Sequence, residues 1–397
     1  MKKVLNSIKQ KAKAISFDKD PTHEVDSLSS AFIWKTIFSR LPSTLVLDPS
    51  ELPSDEVIQL LHCAILSREI YKDPSRRFLP PNLSNIVYEC SESDYYRIPY
   101  FVINSDDLDI IFVVCRGSYC FKDFFVDFMA ATVSYRGGQV HEGVFLTANN
   151  LFNSAKTIIR RLSEVSNNRK VIFTGHSLGG AVAAMCTEMF NAEMHDIDVK
   201  CVCFAPVASF TQDIWEISRS YIRTYILDGD FVPFISYYNA VHLPHNALPS
   251  LFRNQLNKAI QKRINKHAHQ PEFQDIIRSQ TDVVDEPYQL FPPGNAFLFK
   301  LVNEKEGIIE VQKINDHMRY FGQFVKELNE LRHMMKVYRR WIIKYTVDFF
   351  KGDDELIDYY DLDRKKTKKM HKLKKRKSFD IIFMHDQFDI EEPYFWD

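Results

Sequence analysis

Apolar residues along the chain follow two periods. From Ser54 to Tyr71 ("SDEVIQLLHCAILSREIY") they recur every three to four positions behind a Ser cap and early acids, which predicts a helix. The runs Asn85–Tyr88, Tyr100–Ile103 and Asp109–Cys115 are short and apolar and read as strands. "LFNSAKTIIRRLSEVSNN" (151–168) returns to helical spacing, "KVIFT" (170–174) is a short buried strand, and the Ala-rich stretch after Gly180 is a helix. "VKCVCFAPV" (199–207) and "SYIRTYILDGD" (220–230) add two strands, separated by "QDIWEIS". This β-α-β-α-β order predicts a mostly parallel sheet with helices on both faces.

The flanks differ. Val4, Leu5, Ile8, Ala12 and Ile15 share one helical face, with lysines over much of the rest, so residues 1–15 predict a short basic amphipathic helix. Residues 241–290 read as helical and irregular. "AFLFKLV" (296–302) and "IIEVQKI" (308–314) pair as a hairpin, and 321–350 is a long amphipathic helical region. Residues 364–377 carry ten Lys or Arg in fourteen positions, followed by an acidic, aromatic end. These shifts divide the chain into a basic extension (1–53), an α/β domain (54–320), a helical region (321–360) and a tail (361–397).

Composition narrows the function classes. The formal net charge of −1 gives no field that favours nucleic acid. The seven cysteines are odd in number, lie mostly in apolar runs and lack zinc-finger spacing, so a reduced set in a cytoplasmic protein is expected. No signal peptide or membrane span is evident. The basic N-terminus and the 364–377 block suit peripheral contact with membranes or lipid droplets, although a solvated tail has the same composition.

The chemistry lies at "KVIFTGHSLGGAVAA" (170–184). The chain has only 12 glycines, yet three fall within six positions here. Gly175-His176-Ser177-Leu178-Gly179 fits G-x-S-x-G between a strand and a helix, the context of a nucleophile elbow. A Ser needs a His base and an orienting acid, expected in the order Ser, acid, His. Asp228 and Asp230 both follow a strand. His195, His242, His245, His267, His269, His317 and His333 all lie downstream. His317 directly follows the strand pattern 308–314, whereas His333 falls inside a helical pattern. His176 beside the nucleophile reads as a packing or hydrogen-bonding group.

"TGHSLGGAVAA" resembles the elbow of the class 3 lipases, which include fungal triacylglycerol lipases and diacylglycerol lipase-like proteins. "IIFVVCRGSYCFKDFFVDF", "VHEGVF", "CFAPV", "DFVP", "PPGN" and "NDHMRY" resemble further family motifs in the same order, across roughly residues 54–320. The resemblance implies an α/β-hydrolase with a mostly parallel central sheet flanked by helices, plus N- and C-terminal helical additions. It implies Ser177 as nucleophile, Asp230 as acid and His317 as base, with Ser118 and the Leu178 amide as oxyanion donors. It implies hydrolysis of carboxylic esters of glycerolipids (tri- or diacylglycerol) through an acyl-serine intermediate, without metal or cofactor. A mobile lid is expected near Phe121–Met129. A catalytically inert lipase-like scaffold and a soluble carboxylesterase or thioesterase are the alternatives.

Overall fold

The structure is a computed structural model, and it describes residues 48–49, 51–94, 96–118, 132–165, 170–234, 236, 288–303, 307–321 and 330–351. The N-terminal basic helix, the lid segment, residues 241–287 and the 364–377 block lie outside the described residues.

Among the described residues, nine strands form one sheet: β1 (Asp48–Pro49), β2 (Ile86–Cys90), β3 (Tyr100–Ser105), β4 (Ile110–Cys115), β7 (Lys170–His176), β8 (Val199–Phe204), β9 (Ile222–Leu227), β10 (Asn295–Asn303) and β11 (Ile308–Lys313). A small hairpin, β5 (Thr132–Tyr135) with β6 (Gly138–His141), lies outside it. The order across the large sheet is β1-β11-β10-β9-β8-β7-β4-β3-β2. The central five, β4, β7, β8, β9 and β10, run parallel. β11 turns back antiparallel to β10, and β3 and β2 are antiparallel at the other side.

The central strands are buried on both faces because they are almost wholly apolar. Along β4, Ile111, Val113 and Cys115 join one core while Phe112 and Val114 join the other. The first core packs under α2 (Glu142–Val165) and α3 (Leu178–Glu193), through Leu151, Phe152, Ile159 and the small face Ala181–Ala184. The second packs under α1 (Ser54–Glu69) and α6 (Met335–Phe349), through Val57, Leu60, Tyr338 and Trp341. α4 (Gln212–Ser218) and α5 (His317–Phe321) are short.

The architecture is the α/β layering expected from the pattern. α2 begins nine residues earlier than the sequence reading placed it, at Glu142, and its last described residue is Val165. The expected helical region 321–350 is interrupted. Glu330–His333 is a 3-10 turn, and Met334 is extended (φ −69°, ψ 129°) before α6 begins. Six cysteines are free and mostly buried, with Cys120 outside the described residues.

Candidate active site

The elbow forms where β7 meets α3. Ser177 occupies the turn at φ 59° and ψ −128°, a left-handed backbone that a side-chain-bearing residue adopts only under constraint. Its N–H bonds the Phe204 carbonyl at 2.9 Å, and its carbonyl opens α3 by accepting from the Ala181 N–H. The small neighbours are required by close backbone approach. A Cβ at Gly175 would lie 2.5 Å from the Gly179 carbonyl oxygen, and one at Gly179 would lie 2.5 Å from the Cys115 oxygen and 2.7 Å from the Gly117 nitrogen.

The acid follows β9. Asp230 is buried, and its Oδ1 accepts the Val232 N–H at 3.0 Å. Its Oδ2 accepts the Tyr338 hydroxyl at 2.6 Å. Tyr338, on α6, also accepts the Leu227 N–H at 3.0 Å. Burial and the neighbouring Asp230 push the Tyr338 hydroxyl well above its ordinary pKa, so it stays protonated and donates. Asp228, the other candidate, is engaged by Arg332 instead: its carbonyl accepts from Arg332, whose guanidinium also approaches the Asp228 carboxylate at 4.0 Å.

The histidine between Ser177 and Asp230 is His333. Its Nε2 lies 3.0 Å from Ser177 Oγ, and its Nδ1 lies 3.1 and 3.2 Å from the two carboxylate oxygens of Asp230. This corrects the expectation for His317. That residue sits in an apolar pocket, stacked on Trp215 at 4.7 Å and against Phe321 at 4.6 Å, with Nε2 donating to the Pro292 carbonyl at 2.9 Å. Burial lowers its pKa to about 3, so it is neutral and structural there.

Strand direction explains the error. Ser177 and Asp230 follow parallel strands and share the C-terminal edge of the sheet. β11 runs the opposite way, with Lys313 opposite Phe297 near the start of β10. A histidine just after β11 therefore lies at the other edge, roughly 20 Å away for strands of this length. His333 reaches the C-terminal edge on the 3-10 turn Glu330–His333. In the sequence His333 stands only as one more histidine inside a helical pattern, with no local feature that marks it.

His176 braces the same histidine from below. The two rings lie 4.6 Å apart, tilted at 35° to each other, and His176 Nε2 donates to the His333 carbonyl at 2.5 Å. His176 Nδ1 faces the Tyr71 hydroxyl at 3.3 Å, and that hydroxyl accepts the Gly117 N–H at 3.1 Å. Burial, with His333 close by, holds the His176 pKa well below its ordinary value. The neutral ring thus ties His333 to the turn Arg116–Ser118. That turn lies against the elbow, since a Cβ on Gly117 would meet the His176 carbonyl at 2.5 Å and the Gly179 nitrogen at 3.4 Å. Ser118 and the Leu178 amide, the expected oxyanion donors, are on these two adjoining turns. The arrangement is a hydroxyl, an imidazole and a buried carboxylate in series, suited to nucleophilic acyl transfer. Among the described residues, no group of three or more His, Cys, Asp or Glu side chains is placed to hold a metal ion.

Residues 112–240 match the family model described as Lipase (class 3). Lipases of Rhizopus niveus and Rhizopus oryzae are each 31% identical to the chain over 88 residues, which is 21% of this chain. The chain spans 22% of the length of these curated relatives. The native Rhizomucor miehei lipase propeptide complex superposes with a TM-score of 0.52 at 18% identity, covering 77% of this chain and 93% of that one. A triacylglycerol lipase from Penicillium expansum superposes with a TM-score of 0.50 at 13% identity, covering 73% and 98%. At these identities the two structures are similar to this chain in fold.

Proposed function

From the match of residues 112–240 to the Lipase (class 3) model, we propose that the chain is a serine hydrolase of glycerolipid esters, tri- or diacylglycerols. One observation carries the reading: Ser177 Oγ, His333 and Asp230 form a continuous hydrogen-bonded series on a strained elbow.

Each group has a role fitted to its surroundings. Ser177 Oγ attacks the ester carbonyl carbon while His333 Nε2 takes its proton. Asp230 accepts from His333 Nδ1, which fixes the tautomer and stabilises the imidazolium. The Tyr338 hydroxyl and the Val232 N–H hold the carboxylate in place. The Leu178 amide, at the first turn of α3 where helical N–H groups lack intrahelical acceptors, and Ser118 receive the oxyanion. His333 then protonates the departing alcohol, leaving an acyl-Ser177 ester. Water, deprotonated by His333, releases the carboxylic acid.

Labelling with a fluorophosphonate probe, followed by turnover of a panel of acylglycerols, tests the reading. Labelling lost in both Ser177→Ala and His333→Ala is the expected result. Unchanged ester turnover by Ser177→Ala would overturn it.

A further inference from the structure

We propose that the cleft between residues 72–77 and the edge strand β2 binds the phosphate headgroup of an anionic lipid, with Phe78 entering the lipid surface beside it. The choice of a lipid as carrier rests on the hydrolase reading above. The residues of this cleft are not among those of the basic N-terminus or the 364–377 block.

The cleft has a volume of about 140 Å³, where a single water needs only about 10–15 Å³. Lys72, Asp73, Arg77, Glu89, Tyr100 and Arg116 line it. Arg77 is its centre. Its side chain is only 8% exposed, its Nη2 donates to Glu89 at 2.7 Å, and its guanidinium lies 5.0 Å from the centre of the Phe101 ring. Its Nε and Nη1 are buried without a hydrogen-bond partner among the described residues. Buried guanidinium donors left unmade are costly and call for an acceptor. The nearby carboxylates are already engaged: Glu89 by Arg77, buried Glu69 by Lys72 at 2.8 Å, and Asp73 by the Ser75 N–H and hydroxyl. A phosphate supplies several strong acceptor oxygens and the negative charge that this lining complements.

The rim points to a lipid as the source. Phe78, next to Arg77, is 60% exposed, and Val87 and Tyr88 on β2 are exposed as well. The exposure of Phe78 is set by a fixed backbone, since its N–H is held by buried Glu69 at 2.8 Å. An aromatic tip next to exposed Arg76 and a cationic cleft combines the apolar and charged contacts that a membrane surface rewards. Arg116 ties the cleft to the turn carrying Ser118, so a lipid surface held here lies beside the reactive edge.

Flotation of the full chain with phosphatidylcholine vesicles, with and without phosphatidic acid, tests the proposal. Arg77→Gln and Phe78→Ser are compared with Lys374→Gln, which removes one charge from the basic block. Binding to phosphatidic acid vesicles is expected to weaken more than tenfold in Arg77→Gln and about fivefold in Phe78→Ser. Hydrolysis of a water-soluble ester and the melting temperature should stay unchanged. Vesicle binding by Arg77→Gln no weaker than by Lys374→Gln overturns the site. If Arg77→Gln fails to fold, Phe78→Ser decides, because its ring is exposed. Inorganic phosphate that raises the wild-type melting temperature, with vesicle binding equal in all variants, would reassign the cleft to a free anion and overturn the lipid. Ser177→Ala should bind vesicles like wild type, so a failure of the hydrolase reading leaves this result distinguishable.

Discussion

His333 Nε2 lies 3.0 Å from Ser177 Oγ across 156 positions of sequence. The contact exists because α6 packs its Tyr338 and Trp341 into the same core as β4 and β9, which brings the turn before it over the elbow. Replacing His333 with Ala should lower kcat by about 10⁴-fold or more, as losing the base of a serine triad does. His317→Phe, which fills the same apolar pocket, should retain most of the activity. Steady-state ester hydrolysis by the two variants separates them, and the reverse ranking would restore His317 as the base.

Tyr338 and His333 both contact Asp230 Oδ2. Tyr338→Phe leaves the Leu227 N–H unmatched in a buried site and takes from Asp230 Oδ2 its hydroxyl donor. A stability loss of about 1–3 kcal/mol is expected from the orphaned groups. The loss of a donor loosens the carboxylate that orients His333, so kcat should fall as well. A kcat and melting curve identical to wild type would show the hydroxyl to be idle.

The chain Gly117–Tyr71–His176–His333 predicts a positioning effect. Tyr71→Phe removes the acceptor for the Gly117 N–H and the partner of His176 Nδ1. We expect kcat to fall roughly tenfold, equivalent to about 1.4 kcal/mol, with KM little changed. A change confined to KM would place Tyr71 in substrate binding instead.

Three buried histidines make the fold acid-sensitive. Burial lowers His62 to about 4 and His317 to about 3, and holds His176 well below 6.5. Between pH 6.5 and these folded values the unfolded chain binds more protons, so stability rises with pH and is lost on acidification. Each histidine adds a slope of up to about 1.4 kcal/mol per pH unit. Denaturant unfolding at pH 7 and pH 5 should show the loss, and His317→Phe should reduce it. An equal pH dependence in wild type and variant would contradict the neutral, buried state.

Gly179→Ala would press a methyl group onto backbone atoms of Cys115, Arg116 and Gly117, none of which can swing aside. Overpacking of this kind costs about 1–3 kcal/mol where neighbours relax, and more where they are backbone. Gly180→Ala, whose nearest contact is 3.0 Å, should cost less. Thermal melts of the pair check the order.

Much of this protein was legible along the chain because it rests on local physics. The unbroken apolar run "IIFVVC" reports a strand buried on both faces, and the glycines around Ser177 report backbones in contact. The end of a parallel strand near Ser177 left Asp228 and Asp230 both open, and the choice of Asp230 came from the resemblance of "DFVP" to the family motif. The short hairpin β5–β6 left no comparable period, since a four-residue strand carries too few alternations. The histidine was decided by the tertiary structure. Its place depends on the antiparallel sense of β11 and on the return path that docks α6 against α1. Those are set by long-range packing, and no local pattern around His317 or His333 encodes which edge of the sheet each one reaches.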